Sequence, residues 1–146
     1  MTISLSCRGA ARNKSYLKSM GITHVVNTAE GSHFTQVDTG HWYYVEAGIK
    51  YLGLEIMDVP HAKISVHFHA AADFIDDAIR SGGKVLVHCL MGLSRSATIA
   101  IAYLMIKRGL TVEDALKKVR KSRGIRPNDG FLRQLICLQC DLRRRF

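Results

Sequence analysis

An α/β fold with a mostly parallel central sheet and helices on both faces is what this sequence predicts, and three observations carry the prediction. Short apolar runs at residues 23–28, 49–57 and 84–88 alternate with longer stretches of helical periodicity. The run Lys84-Val85-Leu86-Val87-His88 lacks the alternation of a half-exposed strand, as expected of a strand covered on both faces. Residues 97–106 are apolar nearly all round, as expected of a helix enclosed by the rest of the molecule.

Taken in order, Asn13 caps a short helix with Leu17 and Met20 facing inward, and Gly21 ends it. Residues 23–28 are a β-branched strand, whereas residues 30–48 are polar, contain glycine and carry no assignment. Residues 49–57 form a second apolar segment punctuated by Gly53. Ser65 is the expected N-cap of a helix that turns Phe68, Ala71, Ala72, Ile75 and Ile79 to the core and Asp73, Asp76 and Asp77 to solvent, stopped by Gly82 and Gly83. After the strand at 84–88 and the helix over 97–106, closed by Gly109, Thr111 with Asp114 three residues on opens a further helix through Leu116 and Val119. The last helix follows Pro127 and Asn128, with Asp129 as its expected cap and Phe131, Leu135, Leu138 and Leu142 as its apolar stripe.

A chain of 146 residues is long enough to bury a core without disulfides or metals, so one domain over residues 1–146 is expected. With 47% hydrophobic and 23% charged residues and only 2 prolines, no stretch reads as disordered. The net charge of +9 favours anionic partners such as phosphoproteins, nucleic acid or acidic lipid without choosing among them. No run is long enough to span a bilayer and none at the start reads as a signal peptide, so a cytoplasmic protein is expected. Arg143-Arg144-Arg145 reads as a solvated helix end, with nuclear entry as the alternative use of that tail. The cysteines Cys7, Cys89, Cys137 and Cys140 are too few and too scattered for a secreted disulfide framework, so reduced thiols are expected. Cys137 and Cys140 form a CxxC that no second pair completes into a zinc site, and neither metal nor cofactor is expected. Nothing in the sequence sets an oligomeric state.

The segment carrying the chemistry follows the strand at 84–88. From Cys89, through Leu90, Met91, Gly92, Leu93 and Ser94, to a helix starting near Ser96, the chain has the geometry in which successive amides curl around an anion. Arg95 adds a planar cationic fork able to hold two phosphate oxygens at once. Such a setting stabilises a thiolate, the nucleophilic form of cysteine. A Walker A loop would need a lysine where Gly92-Leu93-Ser94-Arg95-Ser96 has none. Phosphoryl transfer through a cysteine also needs a group to protonate the leaving oxygen, and Asp58, at the end of the second apolar segment before Val59 and Pro60, is placed to supply it.

His88-Cys89, five residues and Arg95-Ser96 together resemble the signature of the protein tyrosine phosphatases. Ala102-Tyr103-Leu104-Met105 and Pro127-Asn128-Asp129-Gly130-Phe131-Leu132, with Tyr51-Leu52-Gly53 and Ala71-Ala72-Asp73-Phe74-Ile75 upstream, resemble the dual-specificity group, and among them the small atypical members. The resemblance implies a cysteine-phosphatase fold and hydrolysis of phosphotyrosine and phosphoserine or phosphothreonine in phosphorylated protein substrates. It implies that Cys89 attacks phosphorus, Arg95 holds the phosphoryl oxygens and Ser96 helps the thiolate depart. It further implies that residues 90–95 bind the phosphate, His88 orients the loop and supports the thiolate, Asn128 braces the loop from behind, and Asp58 is the general acid. The first dozen residues depart from the family's usual opening, since Ile3-Ser4-Leu5-Ser6-Cys7-Arg8-Gly9 stands where an aromatic-rich strand end is customary. Rhodanese-like sulfurtransferases typically have one residue fewer before the arginine, so loop length favours phosphate. The alternatives are a catalytically silent phosphoprotein-binding module and a phosphatase for RNA 5′ ends or phosphoinositides. No aromatic stacking platform or nucleic-acid motif supports the RNA version.

Overall fold

The structure is a computed structural model and describes residues 3–144; Arg145 of the basic tail lies outside them. Four parallel strands, β1 (Ile3–Ser6), β2 (His24–Asn27), β3 (Lys50–Gly53) and β4 (Val85–His88), form one sheet in the order β1-β4-β2-β3. β4 is central and pairs with both β1 and β2, with Ser6 and Asn27 opposite His88. The C-terminal ends of three strands therefore meet at His88. Ligands of open parallel sheets bind at that edge.

The strand alternation divides the core in two. Val26, Val85 and Val87 face the larger cluster, built with helices α4 (Phe68–Arg80), α5 (Arg95–Arg108), α6 (Val112–Arg120) and α7 (Asp129–Arg144). Val25 and Leu86 face the smaller one, which contains Ala11 of α1 (Arg8–Arg12), Leu17 of α2 (Lys14–Ser19) and Tyr44 of α3 (His41–Tyr44). Helices thus cover both faces, as the alternation of elements implied. α5 is the central helix: every residue from Arg95 to Met105 is buried, which explains the nearly unbroken apolar run from Ala97 onward.

The local signals hold at several points. The Asn13 side chain accepts the amide of Tyr16 at 3.0 Å, and that of Thr111 accepts the amide of Asp114 at 3.1 Å. Ile3-Ser4-Leu5-Ser6, despite its departure from the family pattern, is an edge strand because Ile3 and Leu5 alternate onto the large core.

Four expectations need correction. Met20 is 42% exposed: α2 stops at Ser19, and Met20 stands at the turn into Gly21, whose φ of +76° leads the chain off the helix. Ser65 does not cap α4. It lies inside a 3₁₀ turn, Ile64–His67, that runs straight into the helix, and its amide donates to Gln134 Oε1 at 2.9 Å. The cap of α7 is Asn128, whose Oδ1 accepts the amide of Phe131 at 2.9 Å, and Asp129 stands in the first turn. Asp73 does more than solvate α4, because it reaches Lys107 of α5 at 2.7 Å; the pair is exposed, so it adds little stability.

Candidate active site

The loop between β4 and α5 closes on its own first residue. Gly92, at φ +76°, turns the chain back so that its N–H donates to Cys89 Sγ at 3.1 Å. Ser96, one residue into α5, brings its hydroxyl to 3.4 Å from the same sulfur. Cys89 is 2% exposed and packs against Ala29 and Val37. Leu90 is half-buried beside that group, while Met91 and Leu93 stand out at the rim. The outer side of the loop is held by Arg123, whose Nη2 and Nε donate to the carbonyls of Met91 and Gly92 at 2.9 and 3.2 Å. With those carbonyls tied outward, the Gly92 amide faces the sulfur. Arg123 was not legible as a loop residue, because it is one of several basic residues in the stretch after α6.

Arg95 is buried and its guanidinium is fixed by two backbone carbonyls from separate loops. Nη1 donates to Ile56 at 2.9 Å and Nη2 to Thr35 at 2.8 Å. Its Nε is buried with no partner. An unpaired buried donor costs about 1–3 kcal/mol, and more on a charged group. A fixed guanidinium with a free donor, on the same loop as a cysteine that accepts a backbone amide, is the arrangement expected of an oxyanion site. Thr35 belongs to the unassigned stretch 30–48, so its part in holding Arg95 had no sequence signal.

His88 is fully buried, with Nδ1 at 3.3 Å from the Cys89 carbonyl oxygen and Nε2 unpartnered. Burial pushes its pKa down to about 4, so the imidazole is neutral near pH 7 and acts on the loop through position and not through charge. The shift sets a direction for stability. In the unfolded chain a histidine titrates near ~6.5, so between about pH 6.5 and about pH 4 the unfolded state binds a proton that folded His88 refuses. Stability attributable to His88 is complete above that window and is lost as pH falls through it, on the order of 3 kcal/mol in all. Denaturant titration of the parent and His88→Asn at pH 7 and pH 4.5 should show their stability gap closing on acidification; a gap independent of pH contradicts the assignment.

Asp58 lies beyond β3 in an exposed loop, and its Oδ1 accepts from Asn128 Nδ2 at 2.9 Å. The amide of Asn128 donates to Ser94 Oγ at 3.1 Å. Asn128 thus spans the phosphate loop, the Asp58 loop and the start of α7. Two further contacts seat the Asp58 loop on that helix. Gln134 donates to the Ala62 carbonyl at 2.9 Å while accepting the Ser65 amide, and Gly130 lies so close under Pro60 that a Cβ there would overlap its backbone. The residues expected to form the site, from His88 through Ser96 with Asp58 and Asn128, are therefore collected at one edge of the sheet. What the sequence did not reveal is that the start of α7, through Asn128, Gly130 and Gln134, carries the Asp58 loop.

A buried cysteine that accepts the Gly92 amide, a clamped arginine that follows on the same loop and a carboxylate on a separate loop are the parts of a cysteine-based phosphate site on a parallel α/β sheet. Comparison with known proteins agrees: the family described as dual specificity phosphatase, catalytic domain, matches residues 4–140, and the chain belongs to it. Dual specificity protein phosphatase 26 of Homo sapiens is 50% identical over 135 residues, which are 92% of this chain and 62% of that protein. Dual specificity protein phosphatase 13B of Mus musculus is 50% identical over 136 residues, covering 92% of this chain and 68% of that protein. The chain therefore spans a little under two thirds of the length of the first of these relatives. The crystal structure of human DUSP28 superposes with a TM-score of 0.86 at 29% identity, over 99% of this chain and 96% of that one. Among the described residues no helix is long and apolar enough to cross a membrane.

Proposed function

We propose that this chain hydrolyses phosphotyrosine and phosphoserine or phosphothreonine in proteins, in two steps through a phosphocysteine at Cys89. The observation that carries the proposal is the convergence on one sulfur of the Gly92 amide and the Ser96 hydroxyl, with the unpartnered Nε of Arg95 buried behind the same loop. In the first step the Cys89 thiolate attacks phosphorus and the bond to the leaving oxygen breaks, while Arg95 and the loop amides bear the charge on the phosphoryl oxygens. Asp58 gives its proton to the leaving oxygen, its carboxyl held by Asn128. In the second step the Asp58 carboxylate takes a proton from water as that water attacks phosphorus. The Cys89–phosphorus bond breaks, and Ser96 donates toward the departing thiolate from its place 3.4 Å away. The exposed Met91 and Leu93 give the rim an apolar, uncharged character suited to an aryl ring or an aliphatic stem. Family membership supports acceptance of both phosphotyrosine and phosphothreonine.

The test is phosphate release from phosphotyrosyl and phosphothreonyl peptides by the parent and by Cys89→Ser. Release from both that vanishes in the variant is expected; absence of Cys89-dependent release from either defeats the proposal. Asp58→Asn separates the acid from the rest of the site. With an alkyl phosphate, whose leaving oxygen needs a proton, kcat should fall by about 10²-fold or more, and the alkaline limb of the pH–rate profile should disappear. An unchanged rate and profile would remove Asp58 from the mechanism.

A further inference from the structure

The residue that braces the phosphate loop from outside follows a serine in basic surroundings. Arg123 donates from Nη2 and Nε to the carbonyls of Met91 and Gly92 at 2.9 and 3.2 Å. Ser122 precedes it in the run Lys117-Lys118-Val119-Arg120-Lys121-Ser122-Arg123, so that four of the five residues ahead of the serine are basic. Basophilic serine kinases choose substrates by charge, through acidic clefts that take arginine and lysine next to the serine.

Access agrees with charge. α6 ends at Arg120, and residues 121–128 form neither helix nor strand before α7 starts at Asp129. Ser122 is exposed in that segment, and a Cβ on the nearby Gly124 would meet nothing within 4 Å. A kinase cleft takes such an exposed irregular segment more readily than a packed element. Ser15, exposed behind Arg12 and Lys14, shares the charge but lies inside α2.

We propose that Ser122 is a phosphorylation site for a basophilic serine kinase, and that its phosphate loosens the loop at Cys89 by drawing Arg123 away. In the transfer the Ser122 oxygen attacks the γ-phosphorus of ATP, the bond to ADP breaks, and the hydroxyl proton passes to the base of the kinase. The phosphate cannot stay where the hydroxyl lies. Ser122 Oγ donates to the Val119 carbonyl at 3.0 Å, and that carbonyl also accepts the amides of Ser122 and Arg123. The esterified oxygen has no proton to give, and the carbonyls that end α6 repel its charge. The group therefore turns outward, where the guanidinium next to it in sequence is that of Arg123. Two neutral carbonyls hold that guanidinium in the unmodified chain, whereas a phosphate dianion offers charge-assisted bonds about twice as strong. Arg123 leaves Met91 and Gly92, and the Gly92 amide loses the constraint that keeps it on Cys89 Sγ.

This inference rests on the phosphate site of the proposed function, so labelling and anion binding are read apart from turnover. The Cys89→Ser chain, which in the proposed mechanism cannot remove its own label, is treated with radiolabelled ATP and protein kinase A or protein kinase C. Label is expected, lost with Ser122→Ala and kept with Ser15→Ala. No incorporation from either kinase, or label retained by Ser122→Ala, overturns the proposal. With Cys89 intact, phosphoserine placed at 122 during translation should lower kcat on p-nitrophenyl phosphate and weaken vanadate binding in a calorimeter, each about ten-fold, the worth of one or two hydrogen bonds. Ser122→Ala should keep the parental rate. Arg123→Ala should lose a similar amount, and phosphoserine at 122 should cost that variant nothing more. Full, multiplying losses in the combination, or a loss that about 0.5 M salt abolishes as it would a diffuse repulsion, also overturn the proposal. Absence of phosphate release from the unmodified parent instead indicts the proposed function, and labelling with vanadate binding still decides this one.

Discussion

Arg95→Lys is expected to lower kcat for aryl and alkyl phosphates by about 10³-fold, the upper end of what one donor of an oxyanion site is worth, because the fork fails in two ways at once. An ammonium is a point charge without the parallel N–H pair that matches two phosphoryl oxygens. It also cannot occupy the carbonyls of Ile56 and Thr35 together, so the loops that Arg95 ties down are released. The orphaned carbonyls cost on the order of 1–3 kcal/mol of stability. Steady-state kinetics on p-nitrophenyl phosphate, paired with thermal unfolding, measures both. A variant within ten-fold of the parent would show that Arg95 is not the phosphate clamp.

Gly92→Ala is expected to cost about 10²-fold in kcat without removing a charged group. The left-handed φ of +76° is uphill by roughly 1–2 kcal/mol for alanine. The added Cβ would stand 2.5 Å from the Ser6 carbonyl oxygen and 2.8 Å from its carbon, both backbone atoms of β1. The loop has to lift off β1, and the amide that donates to Cys89 Sγ lifts with it. The fold should survive, since β4 and α5 are anchored independently in the core. Weaker inhibition by vanadate, alongside a native circular dichroism spectrum, is the signature to look for; parental kinetics would show that the loop tolerates the shift.

The sheet, its central strand and the buried helix after the loop were legible because each is a strong local pattern. Residues 85–87 are apolar without interruption and 97–106 nearly so, and that uniformity marks burial on every side. Cys89, Gly92 and Arg95 share a single loop, so their geometry follows from sequence spacing. The stretch 30–48 was illegible for the opposite reason: long-range polar contacts hold it and apolar periodicity does not. Asn27 donates to the Val37 carbonyl, and the Tyr51 hydroxyl joins the Thr39 carbonyl and Glu30. None of these pairs is adjacent in sequence, yet they place Thr35 on Arg95. Ser65 misled because serine before an amphipathic run is a cap signal, whereas here a tertiary contact from Gln134 takes its amide. Asn128 and Asp129 compete for one cap, and only the direction of the side chain distinguishes them.

The seating of the Asp58 loop on the last helix gives that helix a role beyond covering the sheet. Pro60 lies directly over Gly130, and Ala62 and Ser65 are held by Gln134, so the part of the loop that follows Asp58 rests on α7, while the part before it is tied through the Ile56 carbonyl to Arg95. In the proposed mechanism proton delivery by Asp58 is thus coupled to the docking of the final sixteen-residue helix, while Cys89 depends on the central strand. On warming, the two halves of the reaction should therefore fail in sequence: formation of the phosphoenzyme from substrates with good leaving groups should outlast turnover of those with poor ones.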